Sequence, residues 1–267
     1  MSSIRKLMLH YQQEQKPALI AFIMALLPDE DLCLDCIKAL EQGGCDILEL
    51  GVPFTDPLAD GEMIERFHHR GTKQGLNLKR GLEFAHRVKN SCNMPLILFT
   101  YYNPLYRMGL DKFMQEARAA GIEGLIVPDL PLDEMYVLNG YGMEPIPMLA
   151  PSSTDERVQM AAQQQAAFIY CVSVRGVTGM RSLPEQEIKD YLHRVRNDTR
   201  TPLALGFGIS GPQQVETFRD YTDAVVVGSY LARIIEEYEA RPQLLPGQME
   251  KAFLELSKAR EGKHGSV

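Results

Sequence analysis

The sequence predicts an α/β chain, a single (β/α)8 TIM barrel with an extra N-terminal helix. Three observations carry that expectation. Short β-rich runs alternate with longer stretches of helical periodicity. Runs such as Val225-Val226-Val227 suit strands buried on both faces, as in a parallel sheet covered by helices. The runs number eight, the count that closes such a barrel. At 267 residues, with 45% hydrophobic, the chain has the length and apolar content of one barrel domain. No linker divides it, so one domain is expected over 1–267.

The elements follow in chain order. Ile4, Leu7, Met8 and Tyr11 recur at helical spacing, so 1–16 should form a helix that can cover the barrel's bottom. Expected strands are Ala18–Ile23, Asp46–Leu50, Pro95–Thr100 and Gly124–Val127, then Pro145–Leu149, Ala167–Val172, Pro202–Leu205 and Asp223–Val227. In Leu32–Gln42, Leu32, Cys36, Ala39 and Leu40 share one side; Leu110–Ala120 and Thr154–Gln165 are also amphipathic. Leu231–Tyr238 and Pro246–Arg260 read as helices, and 261–267 as a loose tail.

Charge and composition narrow the function classes. A net charge of −7 offers no basic excess for a broad nucleic-acid surface, so any anion must be held locally by backbone N–H groups and helix N-termini. No apolar stretch approaches a membrane span, and Met1 to Lys16 lacks a signal peptide's apolar centre, which points to a cytoplasmic protein. Five cysteines fit no disulfide framework. Cys33-Leu34-Asp35-Cys36 has redox or zinc spacing but no second pair, so ordinary helix surface and core is preferred and no metal is expected. The adjacent pair His68-His69 cannot chelate from one helix face and is expected on a solvated helix.

The run Leu48-Glu49-Leu50-Gly51-Val52-Pro53-Phe54-Thr55-Asp56-Pro57-Leu58-Ala59-Asp60-Gly61 carries the strongest chemical signal. A strand repeats every two residues, so Glu49 shares a face with Ile47, on a side otherwise given to packing. A buried acid is costly unless paired, protonated or at work. Two readings stand side by side: acid/base chemistry by Glu49 and Asp60, or a strand-end backbone bond for one and a turn for the other.

In a barrel of this kind, phosphate often sits after the seventh and eighth strands. Gly206-Phe207-Gly208-Ile209-Ser210-Gly211 and Gly228-Ser229 stand there, and Ser210-Gly211-Pro212 reads as a helix start. The first segment also matches G-x-G-x-x-G. A dinucleotide fold would open with that motif and place an acid about twenty residues on, whereas the next strand here begins too soon at Asp223. A phosphate cradle is preferred, with glycines serving only tight turns as the alternative. Ser173 to Ser182 forms a long polar loop after strand six, able to fold over a ligand. Phe22, Phe99, Tyr101 and Tyr170 end their strands on the same rim and can line a flat apolar ligand. Together these suggest acid/base chemistry on a phosphorylated aromatic substrate.

At these residues the chain resembles the tryptophan synthase α-chain family from about residue 4 to about 260. The acid loop is its most specific motif. Tyr101-Tyr102-Asn103-Pro104, Pro128-Asp129-Leu130-Pro131, Ala150-Pro151-Ser152-Ser153, Gly176-Val177-Thr178-Gly179, Gly206-Phe207-Gly208-Ile209-Ser210 and Val227-Gly228-Ser229 support it in order. The absence of tryptophan suits an enzyme made when tryptophan is scarce.

The resemblance implies retro-aldol cleavage of indole-3-glycerol phosphate to indole and glyceraldehyde 3-phosphate, with no cofactor in this chain. It assigns proton shuttling to Glu49 and stabilisation of the indole N–H to Asp60, with Thr178 holding Asp60. It gives phosphate to Gly179, Phe207, Gly208, Gly228 and Ser229, and the indole frame to Phe22, Phe99, Tyr101 and Tyr170. It further implies an αββα heterotetramer in which indole passes to a pyridoxal-phosphate β chain, met through Pro53, Asp56, Pro57 and Asn103.

The chain departs from the family pattern at several positions. Ala25-Leu26-Leu27 replaces a small-Gly-Asp turn; Glu62, Glu65 and Phe67 follow the acid loop where other residues are usual; and Tyr230 stands for a usual Ala. Leu26, Leu27 and Tyr230 keep a second reading open, a weakly active or inactive α chain that mainly activates the β chain, against which intact Glu49, Asp60 and Thr178 argue. Another phosphate-binding barrel would carry a catalytic Lys or Cys at a strand end, and none of the eight expected strands ends that way.

Overall fold

The computed structural model describes residues 1–173, 184–206 and 208–261. Its strands are β1 (Ala18–Met24), β2 (Ile47–Gly51), β3 (Leu96–Phe99), β4 (Ile122–Ile126) and β5 (Glu144–Pro145). They continue with β6 (Met148–Leu149), β7 (Ile169–Val172), β8 (Leu203–Gly206) and β9 (Ala224–Val227). All pairs are parallel, in the order β5-β4-β3-β2-β1-β9-β8-β7-β6.

The two ends of that order belong to one segment, so the sheet closes on itself. Pro145 and Pro147 have no N–H to give, which splits the expected fifth strand into β5 and β6. Ile146 N–H still donates to Leu125 on the β4 side at 2.9 Å, and Pro147 C=O accepts from Tyr170 on the β7 side at 2.9 Å. The eight expected strands are therefore present, the fifth in two pieces.

The helices are α1 (Ser3–Glu14), α2 (Glu30–Gln42), α3 (Glu62–Lys73), α4 (Leu78–Lys89), α5 (Tyr102–Met108) and α6 (Leu110–Ala119). The series continues with α7 (Asp155–Gln163), α8 (Glu185–Asp198), α9 (Pro212–Phe218), α10 (Ser229–Glu237) and α11 (Leu245–Glu261). Local chemistry sets several starts. Asp29 caps α2 by accepting from Leu32 N–H at 3.0 Å, and Pro212 opens α9, as its sequence context predicts. Glu261 closes α11 and is not part of a tail; residues 262–267 lie outside the described residues.

Carboxylates floor the barrel. Asp46, expected inside the second strand, sits just before β2, accepts Leu19 N–H at 2.7 Å, and binds Tyr11 of α1 and Arg260 of α11. Asp223 repeats the device, accepting Leu203 N–H at 2.7 Å and pairing with Arg196. These acids tie neighbouring strands and helices at the bottom, leaving the strands' C-terminal ends open for chemistry. No helix among the described residues is long and apolar enough to cross a membrane.

Candidate functional site

A cleft opens at the C-terminal ends of the strands. Phe22, Glu49, Asp60, Phe99, Tyr170, Gly208, Gly228 and Ser229 line it, so eight of the residues singled out from sequence meet in one place. Ile64, Ile209 and Val226 complete the apolar wall. Thr178, Gly179 and Phe207 lie outside the described residues.

Backbone space positions the aromatics. A Cβ on Gly51 would fall 2.5 Å from the Phe22 ring, and one on Gly206 would fall 2.2 Å from the Tyr170 hydroxyl. Only glycine lets both rings lie flat across neighbouring strands. Phe22 and Phe99 meet edge to face, centroids 5.6 Å apart, forming a rigid apolar side to the cleft.

Glu49 is 1% exposed, beside Phe22 and Ile97 in the strand register. Its Oε2 has no hydrogen-bond partner among the described residues. Burial first, and Asp60 second, push its carboxyl from an ordinary 4.5 to about 8. At neutral pH it therefore carries a proton and stands near the midpoint of its titration. The strand-end alternative, a backbone bond to Glu49, is not found among the described residues.

Asp60 ends the loop that joins β2 to α3 and is 6% exposed. Tyr101, just past the end of β3, donates its hydroxyl to Asp60 Oδ2 at 2.6 Å and accepts from Ala59 N–H at 3.1 Å. Burial and Asp60 together raise the Tyr101 pKa, so the phenol remains a donor. Tyr101 thus holds Asp60 through its hydroxyl, packed on Phe99 behind the residues that line the cleft.

His68 corrects an expectation. It is fully buried, whereas its neighbour His69 is exposed and faces Glu65 at 3.4 Å. The signal is present in the sequence: Ile64, Phe67, His68 and Gly71, all buried, follow the i, i+3, i+4, i+7 spacing of an inward helix face. Treating the two histidines as a pair hides it.

The side of the cleft where phosphate is expected presents a glycine turn and a helix start. Gly208 takes φ 78, a left-handed conformation suited to glycine, and α10 begins at Ser229 with its N-terminus at the cleft. Among the expected partner-contact residues, Asp56 and Asn103 are exposed, whereas Pro53 and Pro57 are buried within the chain; Leu58 adds a large exposed apolar side chain beside them. Leu26 takes φ 67 while 3% exposed, holding with a bulky residue a conformation that glycine adopts more readily. Among the described residues no group of three or more His, Cys, Asp or Glu is placed to hold a metal ion.

The family model described as "Tryptophan synthase alpha chain" matches residues 8–260. A tryptophan synthase alpha chain from Syntrophomonas wolfei subsp. wolfei is 68% identical over 248 residues, 93% of this chain and 96% of that protein. Tryptophan synthase subunit alpha from Legionella pneumophila str. Paris superposes with a TM-score of 0.89 at 27% identity, covering 98% of this chain and 99% of that one. A chain in the aminoacrylate-bound tryptophan synthase of M. tuberculosis superposes with a TM-score of 0.85 at 27% identity, covering 97% of this chain and 100% of that one.

Proposed function

The chain belongs to the tryptophan synthase alpha chain family, and on that premise we propose how its cleft cleaves indole-3-glycerol phosphate to indole and glyceraldehyde 3-phosphate. It is a lyase of tryptophan synthesis, and the indole passes to a β chain. The observation that carries the role assignment is the pairing of two unlike carboxyls in one cleft: Glu49, pushed to about 8, and Asp60, held by Tyr101.

Cleavage needs the indole ring carbon protonated and the adjacent side-chain hydroxyl deprotonated. Glu49, protonated at neutral pH, gives its proton to the ring carbon, which places positive charge on the indole nitrogen. Asp60 stabilises that charge through the ring N–H. The resulting Glu49 carboxylate takes the hydroxyl proton as the carbon–carbon bond breaks, and its electron pair restores the aromatic ring. Glu49 ends protonated, ready for another turnover; a pKa near the working pH favours both halves.

Phe22, Phe99 and Tyr170 frame the indole, with Tyr101 behind them. Gly208, Gly228 and Ser229, with Gly179 and Phe207, hold the phosphate through backbone N–H groups. Thr178, outside the described residues, has the role of holding Asp60 in place. We place pyridoxal phosphate in the β chain; no lysine among the described residues lines this cleft to hold it as a Schiff base. Asp56, Asn103 and the neighbouring prolines shape the surface offered to the β chain, in a cytoplasmic αββα heterotetramer.

The test is indole release from indole-3-glycerol phosphate by the purified chain, alone and with saturating β chain. Indole formation that rises with the partner is expected. Glu49→Gln should abolish it while leaving the fold and β-chain activation intact. Retained turnover in that variant would remove Glu49 from the mechanism.

A further inference from the structure

Two relays converge on Asp60, and only one of them belongs to the roles assigned above. Both begin at backbone N–H groups of the acid loop itself. In the first, Ala59 N–H donates to the Tyr101 hydroxyl, which donates to Asp60 Oδ2. In the second, Phe54 N–H donates to His68 Nδ1 at 3.0 Å, and His68 Nε2 lies 3.1 Å from the same Oδ2.

The first contact of the second relay decides the chemistry of the ring. A nitrogen that accepts an amide N–H cannot also hold a proton, so the ring's proton is on Nε2, facing Asp60. Nε2 is fully buried and, despite its closeness to Oδ2, makes no well-directed hydrogen bond. The contact is therefore a close electrostatic approach that is not yet aligned as a hydrogen bond, and rotation of Asp60 is what would align it. Both contacts reach Oδ2.

We propose that His68 is a positioning residue for the cleavage reaction, a neutral imidazole that orients the Asp60 carboxylate from behind. Neutrality matters. An imidazolium at 3.1 Å would cancel the charge that Asp60 must offer to the developing cation on the indole nitrogen. A neutral N–H donor orients the carboxylate and leaves its charge available. The Phe54 amide enforces that state, and edge-to-face packing of His68 on Tyr101, centroids 5.9 Å apart, fixes the ring plane.

The inference rests on the lyase reading of the cleft, so the experiment has an arm independent of turnover. With histidine-15N-labelled chain in complex with the β chain, His68 should show an unprotonated Nδ1 and a protonated Nε2 resonance, with Nε2 moving in Asp60→Asn. A proton on Nδ1, or an Nε2 unmoved by Asp60→Asn, overturns the proposal whatever the chain does with substrate.

In the kinetic arm, His68→Asn keeps an acceptor for Phe54 N–H but offers no donor to Asp60, while His68→Gln places an amide N–H near the Nε2 position and gives up that acceptor. The Asn variant should keep its urea midpoint and lose kcat by roughly tenfold, with KM for indole-3-glycerol phosphate within about twofold. The Gln variant should be the less stable of the two yet recover most of that kcat. Wild-type kcat in His68→Asn, or kcat that falls in step with stability across both variants, overturns the positioning role. Absence of indole from the wild type would instead defeat the lyase reading, and the resonance arm would still decide the Asp60 contact.

Discussion

Replacing Glu49 by Gln should stabilise the chain at alkaline pH while destroying its activity. The reasoning starts from burial. Glu49 ionises at about 8 in the folded chain, against an ordinary 4.5 expected when unfolded. Between those values the folded chain holds one proton that the unfolded chain has released. Stability therefore falls as pH rises through that window and levels off above about 8. At ~1.4 kcal/mol per pH unit, the loss amounts to about 5 kcal/mol when fully expressed. Gln matches the protonated carboxyl in shape and cannot ionise, so it removes that dependence. Wild type and Glu49→Gln should have similar urea stabilities near pH 5 and diverge toward pH 9, with the variant the more stable by several kcal/mol. Parallel curves from pH 5 to pH 9 would refute the raised pKa, and with it the account of Glu49 as a protonated acid at neutral pH. The same group sets a kinetic limb: kcat/KM for indole-3-glycerol phosphate should fall as pH rises through about 8.

Further outcomes test the rest of the site. Asp60→Asn keeps the shape but not the charge offered to the indole nitrogen, and should cost about 2–4 kcal/mol of transition-state stabilisation, slowing turnover by roughly thirtyfold or more; a normal rate would reduce Asp60 to a loop-shaping residue. Gly206→Ala sets a Cβ 2.2 Å from the Tyr170 hydroxyl and must displace that ring. Its KM should rise at least severalfold, and unchanged KM would remove Tyr170 from the indole frame. Leu26→Gly relieves roughly 1–2 kcal/mol of left-handed backbone strain but deletes a buried side chain, a loss of about 2–5 kcal/mol or more. Burial wins on these magnitudes, so the urea midpoint should fall; a rise would show that strain dominates this turn.

Most of the cleft is legible in the amino-acid sequence because its signals are local. An acid in an apolar strand run, a glycine-rich turn after a strand and a Pro at a helix start each declare themselves within a few residues. The acid loop, the aromatics of the strand ends and the two glycine segments are of this kind, and Phe22, Glu49, Phe99, Tyr170, Gly208, Gly228 and Ser229 line one cleft with Asp60. Misreadings arise where a residue's meaning depends on remote neighbours. His68 reads as solvated because its partners, Phe54 and Asp60, lie in the loop before its helix, and the Tyr101 hydroxyl's bond to Asp60 goes unread because the two lie 41 residues apart.

Sequence periodicity by itself determined the run of strands and several of the helices between them, since strand and helix repeats follow from backbone geometry alone, and it marked Glu49 as an acid in an apolar run. Composition added that any anion would have to be held locally, because the chain carries no excess of basic residues. Tertiary structure alone decided that the fifth strand is shared between its neighbours through two prolines, that Glu49 holds its proton to about 8, and that His68 is turned inward against Asp60. Desolvation, Coulomb coupling and hydrogen-bond direction are set by which side chains meet across the barrel. Those meetings arise from the closing of the sheet, which no single segment of the chain encodes.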